Sequence, residues 1–263
     1  MTPDAFVDAG RCWRDVAGEG PTVVLVHGTM DRSSSFGRVR KALGDLRVAR
    51  YDRRGYARSV GLGPPSSFDE QVTDLLDVVG WLAPDGPAPV VFGHSYGGTV
   101  ALAAAATAPE RIAGVVAFEA PMPWMPWWPG DSAGAVAVAG ADDPGAAGEA
   151  FMRRMVGDAR WEKLPPSTRA ARRAEGPTLI AELAQLRAPH PPPFVLASIR
   201  VPVLAAHGTE GAAHHSQAAR AVAAEVAGAD LEVVEGSGHG VHLTHPGAVA
   251  AMVRRMLGRS GTG

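Results

Sequence analysis

Short apolar runs alternate along the chain with longer stretches whose apolar positions recur at helical spacing. Thr22–Val26 reads TVVLV, apolar nearly throughout, as a strand buried on both faces requires. Comparable runs occur at Arg47–Tyr51, Val90–Phe92, Ile112–Phe118, Val201–Ala205 and Leu231–Val234. Between them, Phe68, Val72, Leu75, Leu76, Val79 and Leu82 fall on one helical face. Ser67 is the expected N-cap there, with Asp69 and Glu70 at the positive end of the helix dipole. Tyr96–Thr107 is small and Ala-rich, the composition of a helix packed closely on a sheet. Val249, Met252, Val253, Met256 and Leu257 make one apolar stripe near the C-terminus. This alternation predicts an α/β fold: a mostly parallel central sheet with helices on both faces.

One stretch breaks the pattern. Residues 121–193 hold 12 of the 22 prolines and four of the six tryptophans, with Arg-rich helical pieces near 149–163 and 166–187. It falls between two predicted strands and reads as an insertion over one end of the sheet. The expected organisation is therefore a core of residues 1–120 and 194–263 with a lid of residues 121–193. No internal repeat is visible.

Composition narrows the possibilities. Glycine (32) and proline (22) together occupy about a fifth of the 263 positions, against about 12% in an average protein. Disorder would also need low hydrophobicity or strong net charge. With 46% hydrophobic residues and a net charge of −2, neither holds, so these residues must have local tasks. The small net charge excludes a polybasic nucleic-acid or membrane-surface role. No run of ~18 uncharged apolar residues offers a membrane span. The lone cysteine, Cys12, excludes an intramolecular disulfide and a multi-cysteine metal cluster, and reads as a small buried residue. MTPDAFVDAGRCW carries no basic-then-apolar signal, so a cytoplasmic location is expected.

The strongest chemical signal is Gly93-His94-Ser95-Tyr96-Gly97-Gly98. It follows the run PVVF and precedes the Ala-rich helix, the context that a G-x-S-x-G nucleophile elbow requires. A nucleophile on so sharp a turn sits in strained backbone, and glycines two positions either side remove the resulting collisions. Ser95 is the candidate nucleophile. His239, in the loop Gly236-Ser237-Gly238-His239-Gly240 after the last strand, is the candidate base. His27-Gly28-Thr29-Met30 follows the TVVLV strand and can supply a second oxyanion N–H beside that of Tyr96. Thr29 is the first choice of donor and Met30 the fallback. His207, His214, His215, His242 and His245 lack a zinc-binding pattern and read as surface or loop histidines, so neither metal nor cofactor is expected.

Together His27-Gly28, Tyr51-Asp52-Arg53-Arg54-Gly55-Tyr56, the elbow 93–98 and Gly236-Ser237-Gly238-His239 resemble the α/β-hydrolase fold superfamily over essentially the whole chain. The resemblance implies a Ser–acid–His triad, a lid between the sixth and seventh strands, and a structural turn at Asp52-Arg53-Arg54-Gly55. Members usually carry the acid as an aspartate in a Gly-x-x-Asp loop. Here that loop reads His207-Gly208-Thr209-Glu210-Gly211, with glycine in the aspartate's place. Glu119, closing the run VVAFE, and Glu210 are the alternative acids. A lone buried carboxylate at 119 is costly unless paired, and His239 is a fitting partner.

The expected activity is serine hydrolysis of an ester-like bond, a carboxylic ester or thioester, in a small, largely apolar substrate through an acyl-enzyme. Met122, Trp124, Met125, Trp127 and Trp128 are candidate substrate contacts. Other chemistry of the same fold stays open: cofactor-free perhydrolase, carbon–carbon bond hydrolase or lyase, or a non-catalytic binding protein. Substrate identity and oligomeric state carry no sequence mark.

Overall fold

The computed structural model describes residues 4–6, 10–84, 86–139, 142–187 and 191–261. Among these residues, eight strands form one sheet: β1 (Asp4–Phe6), β2 (Arg14–Ala17), β3 (Thr22–Val26), β4 (Arg47–Tyr51), β5 (Val90–His94), β6 (Gly114–Phe118), β7 (Val203–Gly208) and β8 (Asp230–Val234). Their order is β1-β2-β4-β3-β5-β6-β7-β8. The β1–β2 and β2–β4 pairings at one edge are antiparallel, and the pairings from β4 to β8 are parallel. Eleven α-helices lie among the described residues. They are α1 (Gly37–Ala42), α2 (Phe68–Leu82), α3 (Tyr96–Thr107), α4 (Ala133–Ala139), α5 (Pro144–Val156), α6 (Asp158–Glu162), α7 (Pro166–Ala174), α8 (Gly176–Arg187), α9 (Ala213–Glu225), α10 (Val241–Thr244) and α11 (Pro246–Ser260). None is long and apolar enough to cross a membrane.

The strand period of two sorts the apolar runs into two cores. Val24 and Val26 of β3 and Val115 and Ala117 of β6 join α2, α3 and α9 on one face. Val23 and Leu25 of β3 and Val116 and Phe118 of β6 join α1 and α11 on the other. That is why these runs lack polar alternation: both sides of the sheet are dry. Each fully buried Val, Leu or Phe side chain contributes about 1.5–3 kcal/mol. Cys12 is buried in the first core, and burial together with the neighbouring Asp74 pushes its thiol pKa up, so it stays protonated. Ser67 caps α2 as expected, its hydroxyl accepting the Glu70 N–H at 3.2 Å.

Between β6 and β7 lie α4 to α8. Asp143 caps α5 through the Ala146 N–H at 3.0 Å, and Pro144 occupies the first helical turn. A third apolar cluster (Met30, Tyr56, Ala137, Phe151 and Leu179) seats these helices against the loops after β3 and β4.

Candidate active site

β5 runs directly into α3 through Ser95, whose φ of 54° and ψ of −128° are strained for a side chain with a Cβ. The surrounding glycines make this turn possible. A Cβ at Gly93 would lie 2.4 Å from Gly97 O, and one at Gly97 would lie 2.4 Å from Val26 O. A Cβ at Gly28 would press to 2.9 Å on the Cβ of Ser95. The loop after β3 thus passes directly against the nucleophile candidate.

Glu119, the residue after β6, is also strained, with a φ of 48°. Its carboxylate is completely buried. Oε2 lies 2.5 Å from His239 Nδ1, and Oε1 accepts the Gly208 N–H at 3.0 Å. A carboxylate accepts here, which puts the His239 proton on Nδ1 and leaves Nε2 the lone-pair nitrogen. Glu210, by contrast, is exposed at the protein rim. Gly211 completes the arrangement, because a Cβ there would lie 2.4 Å from Glu119 Oε1. The glycine that replaces the usual aspartate leaves the room that Glu119 occupies.

Ser95, His239 and Thr29 line one cavity. Its walls are mostly apolar, with Pro121, Pro123 and Trp128 from the segment after β6 and Phe151, Leu183 and Leu186 from α5 and α8. Of the five expected substrate contacts, Trp128 reaches this cavity. Met122 is instead buried in the α2–α3 core, and Trp124, Met125 and Trp127 pack against that core. The reason is local. Successive turns, Met125 N–H to Met122 O and Trp128 N–H to Met125 O, coil the segment, and Thr99 Oγ1 holds Pro121 O at 2.9 Å. Most of its apolar side chains are thereby turned onto the core. Met30 has a φ of 54° and buries its side chain in the third cluster, whereas Thr29 faces the cavity.

The histidines fall into distinct groups. His27 donates from Nδ1 to Gly28 O at 2.8 Å and accepts the Arg53 N–H at Nε2, 2.9 Å away. His94 donates from Nε2 to the carbonyl of His239 at 2.7 Å, bracing the loop that carries His239. His215 stacks on the His239 ring, centroids 4.6 Å apart, and His214 packs on Trp128. Nothing in the pattern around 214–215 marks these two as cavity residues; the pairing arises only when α9 docks beside the last loop. Among the described residues, two clusters carry donor atoms suited to a divalent cation: Asp31–His94–His242, and Glu119–His215–His239 at the site itself.

These buried imidazoles make stability depend on pH. Burial, then the Arg53 charge, lowers the His27 pKa from 6.5 to about 4. Burial likewise holds His94 and His215 well below 6.5. The unfolded chain therefore binds protons at these residues where the folded chain refuses them. Their contribution is complete above about pH 6.5 and is lost as pH falls toward 4. Calorimetry should show the melting temperature falling steadily through that window. A flat profile from pH 7 to about 5 would contradict this account.

Residues 23–252 match the alpha/beta hydrolase family. The chain belongs to that family. A 104-residue stretch is 36% identical to Lipase LipV of Mycobacterium tuberculosis, covering 38% of this chain and 38% of that lipase. The fold superposes on the enol-lactonase from Burkholderia xenovorans LB400 with a TM-score of 0.73 and 22% identity, over 94% of this chain and 97% of that one. It also superposes on a thermophilic esterase from Thermogutta terrifontis with a TM-score of 0.74 and 21% identity, over 99% of both chains.

Proposed function

We propose that the protein hydrolyses carboxylic esters or thioesters with a small, largely apolar acyl group. Ser95 Oγ attacks the carbonyl carbon while His239 Nε2 takes its proton. Glu119 holds the Nδ1–H tautomer and stabilises the imidazolium. The Thr29 and Tyr96 N–H groups bind the oxyanion. The imidazolium then protonates the leaving group, and water, deprotonated by His239, releases the acid. Residues 121–193 act as the lid, over a core of residues 1–120 and 194–263.

The observation that carries this reading is the pairing of a strained serine with a Glu119–His239 couple around one apolar cavity. Strain in non-glycine backbone persists only where the surroundings enforce it.

The lining by Phe151, Leu183 and Leu186 bears on substrate choice. Each buried methylene adds about 0.8 kcal/mol, roughly a three- to fourfold gain. A p-nitrophenyl ester series should therefore show kcat/KM rising from acetate through hexanoate. Failure to turn over any ester, or a preference for acetate, would refute this substrate class.

A further inference from the structure

We infer that Arg53, locked in place by Glu182 of α8, is a positioning residue that aims the Thr29 N–H at the oxyanion. This rests on the Ser95 reading and adds the device that sets the oxyanion donor. Arg53 and Glu182 are both completely buried, with Arg53 Nη1 donating to Glu182 Oε2 at 2.8 Å. The other carboxylate oxygen accepts the Tyr56 hydroxyl at 2.6 Å. The rest of the guanidinium points at the loop after β3. Nε donates to His27 O at 2.8 Å and Nη2 to Gly28 O at 3.1 Å.

The Gly28 carbonyl is the centre of the device. Besides Arg53 it receives His27 Nδ1–H at 2.8 Å and the Asp31 N–H at 3.4 Å. Its peptide partner is the Thr29 N–H. In a planar trans peptide the C=O and N–H point in opposite directions. Three donors gripping Gly28 O therefore hold the Thr29 N–H aimed the other way. The guanidinium charge also draws electron density through the peptide, making that N–H a better donor. Arg53 lies 4.7 Å from the ring centroid of Tyr96, the other oxyanion residue. The same cation thus also packs on the side chain of the other proposed donor residue.

A second tie runs parallel. Arg172 of α7 donates to Met30 O at 2.9 Å and pairs with Glu175 at the same distance. Both anchors come from the helices inserted between β6 and β7. Docking of that segment and assembly of the oxyanion donor are therefore one event.

A buried ion pair broken on one side is severely destabilising, so the variants must respect the charge. Arg53→Lys keeps the charge but loses the fork that spans His27 O and Gly28 O. Arg53→Met with Glu182→Leu removes both charges, and carries the same readouts if the lysine variant does not fold. Turnover is measured per active site titrated by a fluorophosphonate, together with KM and the affinity of a trifluoromethyl ketone, which forms a tetrahedral oxyanion. Expected is a fall in kcat per titrated site of about 10- to 100-fold, with KM changed less than about threefold. The ketone should weaken by the same factor as kcat. The inference is overturned if kcat per titrated site and ketone affinity stay at the wild-type level, with only the melting temperature or the titratable fraction reduced. Its failure would leave wild-type Ser95 titratable. Failure of the underlying reading would show as no titration of the wild type at all.

Discussion

Ser95→Ala is expected to lower kcat for p-nitrophenyl esters by about 10⁵–10⁶-fold while leaving KM and the melting temperature close to wild type. The separation of effects follows from where the residue sits. Its backbone links are independent of the hydroxyl: Ser95 N–H donates to Phe118 O at 2.8 Å, and Ser95 O accepts the Gly98 N–H at 2.7 Å. Gly93, Gly97 and Gly28, which permit the turn, remain in place. Alanine therefore inherits the same strained backbone. The apolar cavity and the oxyanion donors still bind substrate, so the loss falls on the chemical step. Steady-state kinetics beside thermal melts would check both halves, and undiminished turnover would refute the nucleophile assignment.

Glu119→Gln should reduce kcat by about 10⁴-fold. The amide can offer its NH₂ to His239 Nδ1, which favours the wrong imidazole tautomer and removes the charge that stabilises the imidazolium. The effect is smaller than that of losing Ser95, because the nucleophile and the oxyanion donors survive. The geometry also predicts a partial repair. The Gly211 Cβ direction points to within 2.4 Å of Glu119 Oε1. An aspartate at 211 would place its carboxylate near the space that Glu119→Ala vacates. The double variant Glu119→Ala, Gly211→Asp should exceed Glu119→Ala in kcat by at least about 10-fold. Equal activity of the two would show that the carboxylate's position, as read from this cavity, is wrong.

The legible parts of the fold were those with local causes. Strands buried on both faces must be apolar throughout, so TVVLV and VVAF stand out. The elbow was legible because its glycines answer collisions within a few residues. The strand Arg14–Ala17 was not. It is short and begins with a charged pair, and Asp15 is buried only because Arg50 meets it at 2.8 Å and Arg40 at 3.0 Å. Sequence offered two acids, Glu119 and Glu210, and could not measure either against His239. The tryptophan–proline segment announced apolar surface without showing which way it faces, and most of that surface turned to the core. Phe151, Leu183 and Leu186 line the cavity instead, delivered by helices whose approach no local pattern encodes. Arg53 and Glu182 are 129 positions apart, and neither motif nor spacing links them.

The proposed mechanism requires an activated serine at position 95. Treating the protein with a fluorophosphonate and mapping the adduct by peptide mass spectrometry tests it most directly. Expected is one phosphonyl group per chain, on Ser95, and none on Ser95→Ala. No adduct, or an adduct on another residue, would contradict it.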